Sequence, residues 1–197
     1  MNFALTLVRH GQSTANVRHM LAGWKDVELT ETGRKELEKL ASAVDYPESD
    51  IYFSSPLKRC RETAEILFPG RKIICRDEFR EINFRMLEGW ILSSKEEMDA
   101  YFADWVNDEA YLDEETLSDV MERGSRAVLD TVAECEAEGL HSATVVMHSG
   151  LMRACLVALF GLEREDFNRM SIANGLGVII DFDGLSPVRW TPLQRRA

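Results

Sequence analysis

Two apolar segments end in a similar way, and this pair constrains the fold more than any other feature of the sequence. Residues 3–8 form an apolar run that leads directly into Arg-His-Gly at positions 9–11. Residues 143–147 form a second run, which leads into His-Ser-Gly at positions 148–150. Near-continuous apolar runs, broken here only by Thr6 and Thr144, are typical of strands buried on both faces of a parallel sheet. The pair therefore predicts an α/β fold with a mostly parallel sheet and two histidines at its carboxyl edge.

The other segments fit the same architecture. Apolar residues at helical spacing follow three predicted N-caps, Thr30, Ser55 (with Pro56 at the first helical position) and Ser118. Four further short strands are predicted, at 51–53, 72–75, 177–182 and 188–190. The last two flank an Asp183-Gly184 turn signal, which predicts an antiparallel pair at the end of the chain.

Residues 93–117 depart from this alternation of strands and helices. Ser94 is a predicted cap, and Met98, Tyr101, Phe102 and Trp105 follow at helical spacing. The segment is predicted to be a helical flap inserted into a single domain that spans residues 1–197. Because aromatic residues at helical spacing are usually core residues, the stripe is predicted to pack against the main body rather than to form an exposed binding surface.

Composition narrows the possible partners and location. The formal net charge of −11 argues against nucleic acid or an anionic membrane as the main partner, because both require a basic surface. No apolar segment is long enough to span a membrane and no signal-peptide pattern begins the chain, so a cytoplasmic location is expected. The four cysteines lack zinc-ligand spacing and are predicted to be free thiols, with no metal site.

Several cationic or ionisable side chains are predicted to share one cleft. His10 and His148 follow two buried strands, Arg9 precedes His10, and Arg59 lies on the helix after a third strand. Like charges repel in a site of reduced dielectric, so a compensating anion is expected there. A phosphoryl group fits best, because Arg binds it through paired N–H donors. Ser149 and Gly150, at a helix start, are predicted to add backbone N–H donors.

Five sequence segments, spread along most of the chain, match the conserved segments of one protein family. Six residues near the first strand fit the pattern Arg-His-Gly-Gln/Glu-Ser/Thr-x-x-Asn: Arg9, His10, Gly11, Gln12, Ser13 and Asn16. Four more matching segments lie at 23–33, 54–64, 81–84 and 146–153. In these residues the sequence resembles the histidine phosphatase superfamily, the phosphoglycerate-mutase-like proteins. The resemblance implies a three-layer α/β/α sandwich, with residues 93–117 in the place of the family's variable substrate-covering insertion.

The resemblance also implies a role for each matching residue. His10 resembles the nucleophile that becomes phosphohistidine, and Glu81 resembles the general acid, with no cofactor required. The residues that resemble the family's phosphate-holding groups are Arg9, Arg59, His148 in its protonated form, and Asn16. Nucleophilic attack requires a neutral His10 whose other ring nitrogen donates to an acceptor, and the sequence does not identify that acceptor.

Two positions leave alternatives open. Glu78 and Glu88 lie on the same polar stretch as Glu81 and compete with it for the role of acid, although the Glu-Ile-Asn-Phe context favours Glu81. Arg85 stands where the family commonly has Gly. Its side chain would contact either an anionic part of the substrate or solvent, and solvent is the favoured interpretation.

The leading hypothesis for function is a phosphatase that hydrolyses a small phosphomonoester through phosphohistidine. A phosphoglycerate-type mutase is the alternative, but such mutases usually have longer chains. A non-catalytic phosphate-binding regulatory protein is disfavoured because the nucleophile and the acid, His10 and Glu81, are both present. The sequence leaves the oligomeric state open between a monomer and a homodimer, and it leaves the identity of the phosphomonoester open.

Overall fold

The computed structural model describes residues 2–196, and for Lys95 it describes only the backbone. Within this range the strands form one sheet of six: β1 (Asn2–Arg9), β2 (Ile51–Ser54), β3 (Ile73–Cys75), β4 (Ser142–Met147), β5 (Gly177–Asp183) and β6 (Ser186–Pro192). Their order across the sheet is β3-β2-β4-β1-β5-β6. The first four are mutually parallel, whereas β5 and β6 form the antiparallel pair predicted at the end of the chain.

Helices cover both faces of this sheet. The described helices are α1 (Thr14–Val17), α2 (Glu31–Ala43), α3 (Lys58–Leu67), α4 (Lys95–Trp105), α5 (Leu117–Ala137), α6 (Ser149–Phe160) and α7 (Asp166–Arg169). Leu7 and Val145 pack in the core beneath α5 and α6, whereas their neighbours Val8 and Val146 pack in the core beneath α2 and α3. Successive residues of a strand face opposite sides, so both faces of β1 and β4 are apolar. The three-layer α/β/α prediction is therefore confirmed.

The register of the central strands brings their carboxyl ends together. Arg9 of β1 pairs with Met147 of β4, and the His10 backbone N–H donates to the Met147 carbonyl at 3.0 Å. On the other side of β4, Ser54 of β2 pairs with Val146. Because β1, β4 and β2 are parallel neighbours, the segments that follow them begin at the same edge of the sheet.

The predicted insertion, residues 93–117, contains helix α4, followed by an irregular segment that reaches α5. Trp105 is fully buried and Tyr101 is buried, and both belong to the core beneath α5 and α6. The Trp105 ring lies 5.2 Å from that of Phe167. The prediction that the aromatic stripe packs against the main body is confirmed.

Two predicted helix starts are wrong. Helix α5 is capped by Thr116 rather than Ser118, because Thr116 and Asp119 form a reciprocal capping box. Helix α3 begins at Lys58 without a side-chain cap, so Pro56 does not occupy its first turn. The Ser55 hydroxyl, predicted as that cap, instead bonds the His148 ring at 2.8 Å.

The cysteines and the helices bear on two further expectations. All four cysteines are free, and Cys60, Cys135 and Cys155 are buried on α3, α5 and α6 as predicted. None of the helices in residues 2–196 is long and apolar enough to cross a membrane.

Candidate active site

A cavity of about 280 Å³ opens at the carboxyl ends of the parallel strands. Its wall includes seven of the residues singled out by the sequence: Arg9, His10, Asn16, Arg59, Glu81, Ser149 and Gly150. His148 lies behind His10, with the two ring centroids 5.2 Å apart. The structure therefore brings the whole predicted set into one place.

His10 is held in one orientation by the carbonyl of its own neighbour. Its Nδ1 lies 2.7 Å from the Gly11 carbonyl oxygen, which can only accept, so Nδ1 carries the proton. Burial, assisted by the charges of Arg59 and Arg9, keeps the pKa of His10 well below its ordinary value. His10 is thus neutral at pH 7, with its lone pair on Nε2.

His148, which is expected to be protonated when it holds phosphate, lies in a desolvated position. It is fully buried, and its Nε2 lies 2.8 Å from the Ser55 hydroxyl oxygen. Burial and the nearby Arg59 charge keep the pKa of His148 well below its ordinary value, so the ring is neutral without an anion beside it. This desolvation carries no local signal in the sequence, because the depth of a strand tip depends on the segments packed around it.

The two arginines are fixed by backbone carbonyls. Arg59 is 1% exposed, and its Nη1 and Nη2 donate to the carbonyls of Lys25 and Gly23 at 3.0 and 2.8 Å. Arg9 donates from Nη1 to the Ile172 carbonyl at 2.6 Å. Its Nε is buried and has no hydrogen-bond acceptor among the described residues. Both guanidinium groups are therefore held in place before any ligand arrives.

Of the three competing carboxylates, Glu81 alone lines the cavity. Glu88 accepts a hydrogen bond from the Trp24 backbone N–H at 2.6 Å, which ties it to the segment that follows Gly23. Glu78 is exposed at the surface. The geometry therefore supports the choice of Glu81 that the sequence context favours.

The backbone N–H groups at the start of helix α6 bond the Glu81 carboxylate. Gly150 N–H donates to Glu81 Oε2 at 3.3 Å, and Leu151 N–H donates to Glu81 Oε1 at 2.9 Å. The Gly150 N–H group that the sequence assigned to phosphate thus bonds a carboxylate, for which a helix N-terminus is equally suited. Ser149 lines the cavity beside it.

Gly150 allows this close approach. A Cβ atom at position 150 would lie 2.5 Å from Glu81 Oε1 and 2.6 Å from Ile82 Cδ1. We expect Gly150→Ala to push the Glu81 carboxylate out of position, with a loss of roughly tenfold or more in turnover and of about 1–3 kcal/mol in unfolding free energy. Steady-state kinetics measure the loss of turnover, and chemical denaturation measures the loss of unfolding free energy. Ser149→Ala, one position away, serves as the comparison. Turnover unchanged in Gly150→Ala would contradict it.

Asn16 lines the cavity and also takes part in the N-cap of α1. Its side-chain oxygen accepts from the Ser13 backbone N–H at 2.9 Å, in a capping box at the start of α1. Asn174 donates to the same oxygen at 3.4 Å and to the His10 carbonyl at 2.9 Å. Because the oxygen is committed in this way, the side-chain nitrogen of Asn16 is the group available to a ligand.

Three contributors were not assigned by sequence reasoning. The Gly11 carbonyl and the Ser55 hydroxyl, which orient the two histidines, are ordinary groups that carry no local signal. Arg153 lines the cavity, donates to the Ser149 and Phe167 carbonyls, and has its pKa lowered to about 10 by burial. Its position one helical turn after Ser149 could have identified it, since the two face the same side of α6.

Arg85 adopts a backbone conformation that favours glycine. Its φ angle is +47°, its side chain is exposed, and it does not line the cavity. The solvent-facing interpretation of this position therefore fits the structure. A left-handed conformation costs a residue with a Cβ atom about 1–2 kcal/mol.

We expect Arg85→Gly to raise the free energy of unfolding by up to about 1.5 kcal/mol, because relief of this conformation exceeds the added unfolded-state entropy of about 0.4–1 kcal/mol. Arg85→Ala keeps the Cβ atom and removes the same charge, so it should bring no gain. Chemical denaturation of the two variants measures the difference. An equal rise in both would show that side-chain charge, not backbone conformation, is responsible.

The described residues offer no obvious metal site. No group of three or more His, Cys, Asp or Glu side chains that could hold a metal ion occurs among residues 2–196. The cavity wall instead presents the neutral imidazole of His10, the guanidinium groups of Arg9, Arg59 and Arg153, and the Glu81 carboxylate, with the His148 imidazole behind His10. Such a set is suited to binding a phosphoryl group and moving protons around it.

Known proteins resemble this chain over nearly its full length. A probable 2-carboxy-D-arabinitol-1-phosphatase from Arabidopsis thaliana is 32% identical over 191 residues, which cover 93% of this chain. The chain spans only 39% of that protein. A 2,3-bisphosphoglycerate-dependent phosphoglycerate mutase from Cytophaga hutchinsonii is 29% identical, with 90% of this chain and 87% of the mutase covered.

A solved structure and a family model agree with these relatives. YhfR from Bacillus stearothermophilus superimposes with a TM-score of 0.82 at 26% identity, covering 94% of each chain. A sequence model of the histidine phosphatase superfamily (branch 1) matches residues 5–190. Together with the site geometry, these matches confirm the resemblance, and the chain belongs to the histidine phosphatase superfamily.

Proposed function

We propose that this chain is a phosphatase that hydrolyses a small phosphomonoester through a phosphohistidine at His10. The observation that carries the proposal is the bond from Nδ1 to the Gly11 carbonyl, which leaves Nε2 as an unprotonated nucleophile. Arg9 and Arg59 beside it supply the charge that an incoming phosphoryl group requires. The name of the Arabidopsis relative, a probable 2-carboxy-D-arabinitol-1-phosphatase, agrees with this activity.

In the first half-reaction, the Nε2 lone pair of His10 attacks phosphorus as the bond from phosphorus to the ester oxygen breaks. Protonated Glu81 gives its proton to that oxygen, and the alcohol leaves. Arg9, Arg59 and the Asn16 amide donate hydrogen bonds to the non-bridging oxygens as charge redistributes, with His148 lying behind His10. The approach of the phosphate dianion favours the protonated form of His148, so the ring can gain a proton on binding.

In the second half-reaction, the Glu81 carboxylate accepts a proton from a water molecule. The water oxygen attacks phosphorus, the bond to Nε2 breaks, and its electron pair returns to the imidazole. Inorganic phosphate leaves, and Glu81 is again protonated for the next turnover. The same carboxylate at the cavity wall thus serves as acid and then as base.

Trapping the intermediate tests this proposal. Wild-type protein is mixed with an aryl phosphate and quenched in alkali, where a phosphorus–nitrogen bond on imidazole persists. Mass spectrometry of the digest should then show a phosphoryl group on the peptide that contains His10. Release of alcohol and inorganic phosphate in equal amounts completes the expected result, and turnover without labelled His10 would refute the covalent route.

A phosphoglycerate-type mutase remains the second candidate, favoured by the Cytophaga relative and others that bear that name. The two activities share the transfer of phosphate to histidine and differ in what accepts it next. Incubation with 3-phosphoglycerate separates them, because a mutase yields 2-phosphoglycerate and a phosphatase yields inorganic phosphate. Thermal stabilisation by phosphate with no turnover on any phosphomonoester would instead favour a binding protein.

A further inference from the structure

A chain of hydrogen bonds connects the insertion (residues 93–117) to residues 78–83, which carry Glu81 and are called here the Glu81 segment. It centres on Arg123 of helix α5 and on Glu115, two residues before that helix begins. The Arg123 guanidinium meets the Glu115 carboxylate through two bonds, Nε to Oε1 and Nη2 to Oε2, each 2.8 Å long. The side chains are 24% and 14% exposed, so this pair is shielded far better than an ordinary surface ion pair.

Arg123 also binds the backbone just before and at Glu81. Its Nη1 donates to the carbonyls of Glu78 and Arg80, both at 3.1 Å, and its Nη2 donates to the Glu81 carbonyl at 3.2 Å. One planar guanidinium group therefore gathers three carbonyls of a single short segment. Lysine cannot reproduce this, because its ammonium lacks the rigid fork of donors.

Glu115 binds the same segment from its other side. Its Oε2 accepts from the Asn83 backbone N–H at 2.7 Å, and its own backbone N–H donates to the Asn83 carbonyl at 3.0 Å. Trp105 of α4 donates from its indole nitrogen to the Glu115 carbonyl at 2.9 Å. The insertion is thus joined directly to the Glu81 segment. Phe102 of the same insertion lines the cavity.

We propose that Arg123 and Glu115 are positioning residues that hold the Glu81 segment in place, so that the Glu81 carboxyl group meets the leaving oxygen of the substrate. The proposal rests on the phosphatase function proposed above. Neither side chain lines the cavity. Their effect is exerted through the backbone on both sides of Glu81, while the start of α6 fixes its carboxylate.

The consequence is specific to proton transfer. A misplacement of a catalytic group by about 1 Å can cost up to roughly a hundredfold in rate. Alkyl phosphates have strongly basic leaving groups that need the proton, whereas nitrophenolate leaves without one. Loosening the Glu81 segment should therefore impair alkyl ester cleavage far more than cleavage of a nitrophenyl ester.

The test compares Arg123→Lys with Arg126→Lys in the full chain. Arg126 lies on the same helix, but its guanidinium pairs with exposed Glu122 and provides a matched control for the substitution. The ratio kcat/KM is measured with glycerol phosphate and with p-nitrophenyl phosphate. This ratio reports the steps up to the first irreversible transfer to His10, so Glu81's later role as base does not enter.

For Arg123→Lys we expect kcat/KM to fall roughly tenfold or more on glycerol phosphate and less than about threefold on p-nitrophenyl phosphate. Arg126→Lys should leave both values unchanged. An equal fall on both substrates would indicate a general loss of structure and would overturn the positioning role, as would no fall on either.

Glu115→Gln is the second variant, in case Arg123→Lys does not fold. It retains the shape and one acceptor, and it should show the same selective loss on glycerol phosphate to a smaller degree. Failure of the proposed phosphatase function would be recognised separately, since wild-type protein would then hydrolyse neither ester. A wild type that cleaves both esters, with variants that show no selectivity between them, would refute the positioning role alone.

Discussion

Replacing His10 with Ala is expected to lower kcat/KM by about four orders of magnitude or more on every phosphomonoester that the wild type hydrolyses. The reason is that no second nitrogen among the described residues stands ready to form the covalent bond. His148 is the nearest imidazole, but it is fully buried behind His10 and its Nε2 is engaged by the Ser55 hydroxyl. Steady-state assays with p-nitrophenyl phosphate measure the loss.

Binding should survive this change. Arg9 and Arg59 are anchored by the carbonyls of Ile172, Lys25 and Gly23, none of which depends on the imidazole of His10. We therefore expect phosphate to raise the melting temperature of His10→Ala about as much as that of the wild type. His141→Ala removes an exposed histidine and should be fully active. Substantial turnover by His10→Ala would contradict the covalent mechanism.

Glu81→Gln is expected to lower kcat/KM on alkyl phosphates by about 10²–10⁴-fold, the usual contribution of a general acid. The amide oxygen can take the place of Oε1 and still accept from the N–H groups of Ile82 and Leu151, and only the 3.3 Å bond from the Gly150 N–H is lost. The change therefore removes the transferable proton with little change of shape. The loss in kcat/KM should be much smaller on p-nitrophenyl phosphate, whose leaving group needs no proton. Measurement of kcat/KM along a series of esters of rising alcohol pKa gives the dependence directly.

Two further carboxylates serve as comparisons for this result. Glu78→Gln alters an exposed carboxylate three residues earlier and should have no effect. Glu88→Gln weakens the bond to the Trp24 backbone N–H but leaves the cavity wall intact, so any loss should be equal for alkyl and aryl esters. A selective loss on alkyl esters in Glu88→Gln, with Glu81→Gln unaffected, would reassign the acid.

The sequence predicted the sheet and its edge because these depend on local patterns. Apolar runs that end in Arg-His-Gly and His-Ser-Gly already specify buried parallel strands, and parallel neighbours must end at one edge. That is why His10, His148 and Arg59 could be placed together from sequence patterns alone. Local patterns also explain the two wrong helix starts. Serine commonly caps helices, so Ser55 and Ser118 fit the local pattern, but α3 begins at Lys58 without a side-chain cap and α5 is capped by Thr116.

The tertiary structure decided how the groups at that edge are used. The neutral state of His148 follows from complete burial, and the commitment of the Gly150 N–H follows from the approach of Glu81 across 69 positions of the chain. The hydrogen bond from the Arg123 guanidinium to the Glu81 carbonyl likewise joins residues 42 positions apart. No local pattern encodes such contacts, because hydrogen bonding and desolvation depend on which distant segments pack together. The sequence alone determined which groups meet at the sheet edge, and only packing decided their protonation, partners and orientation.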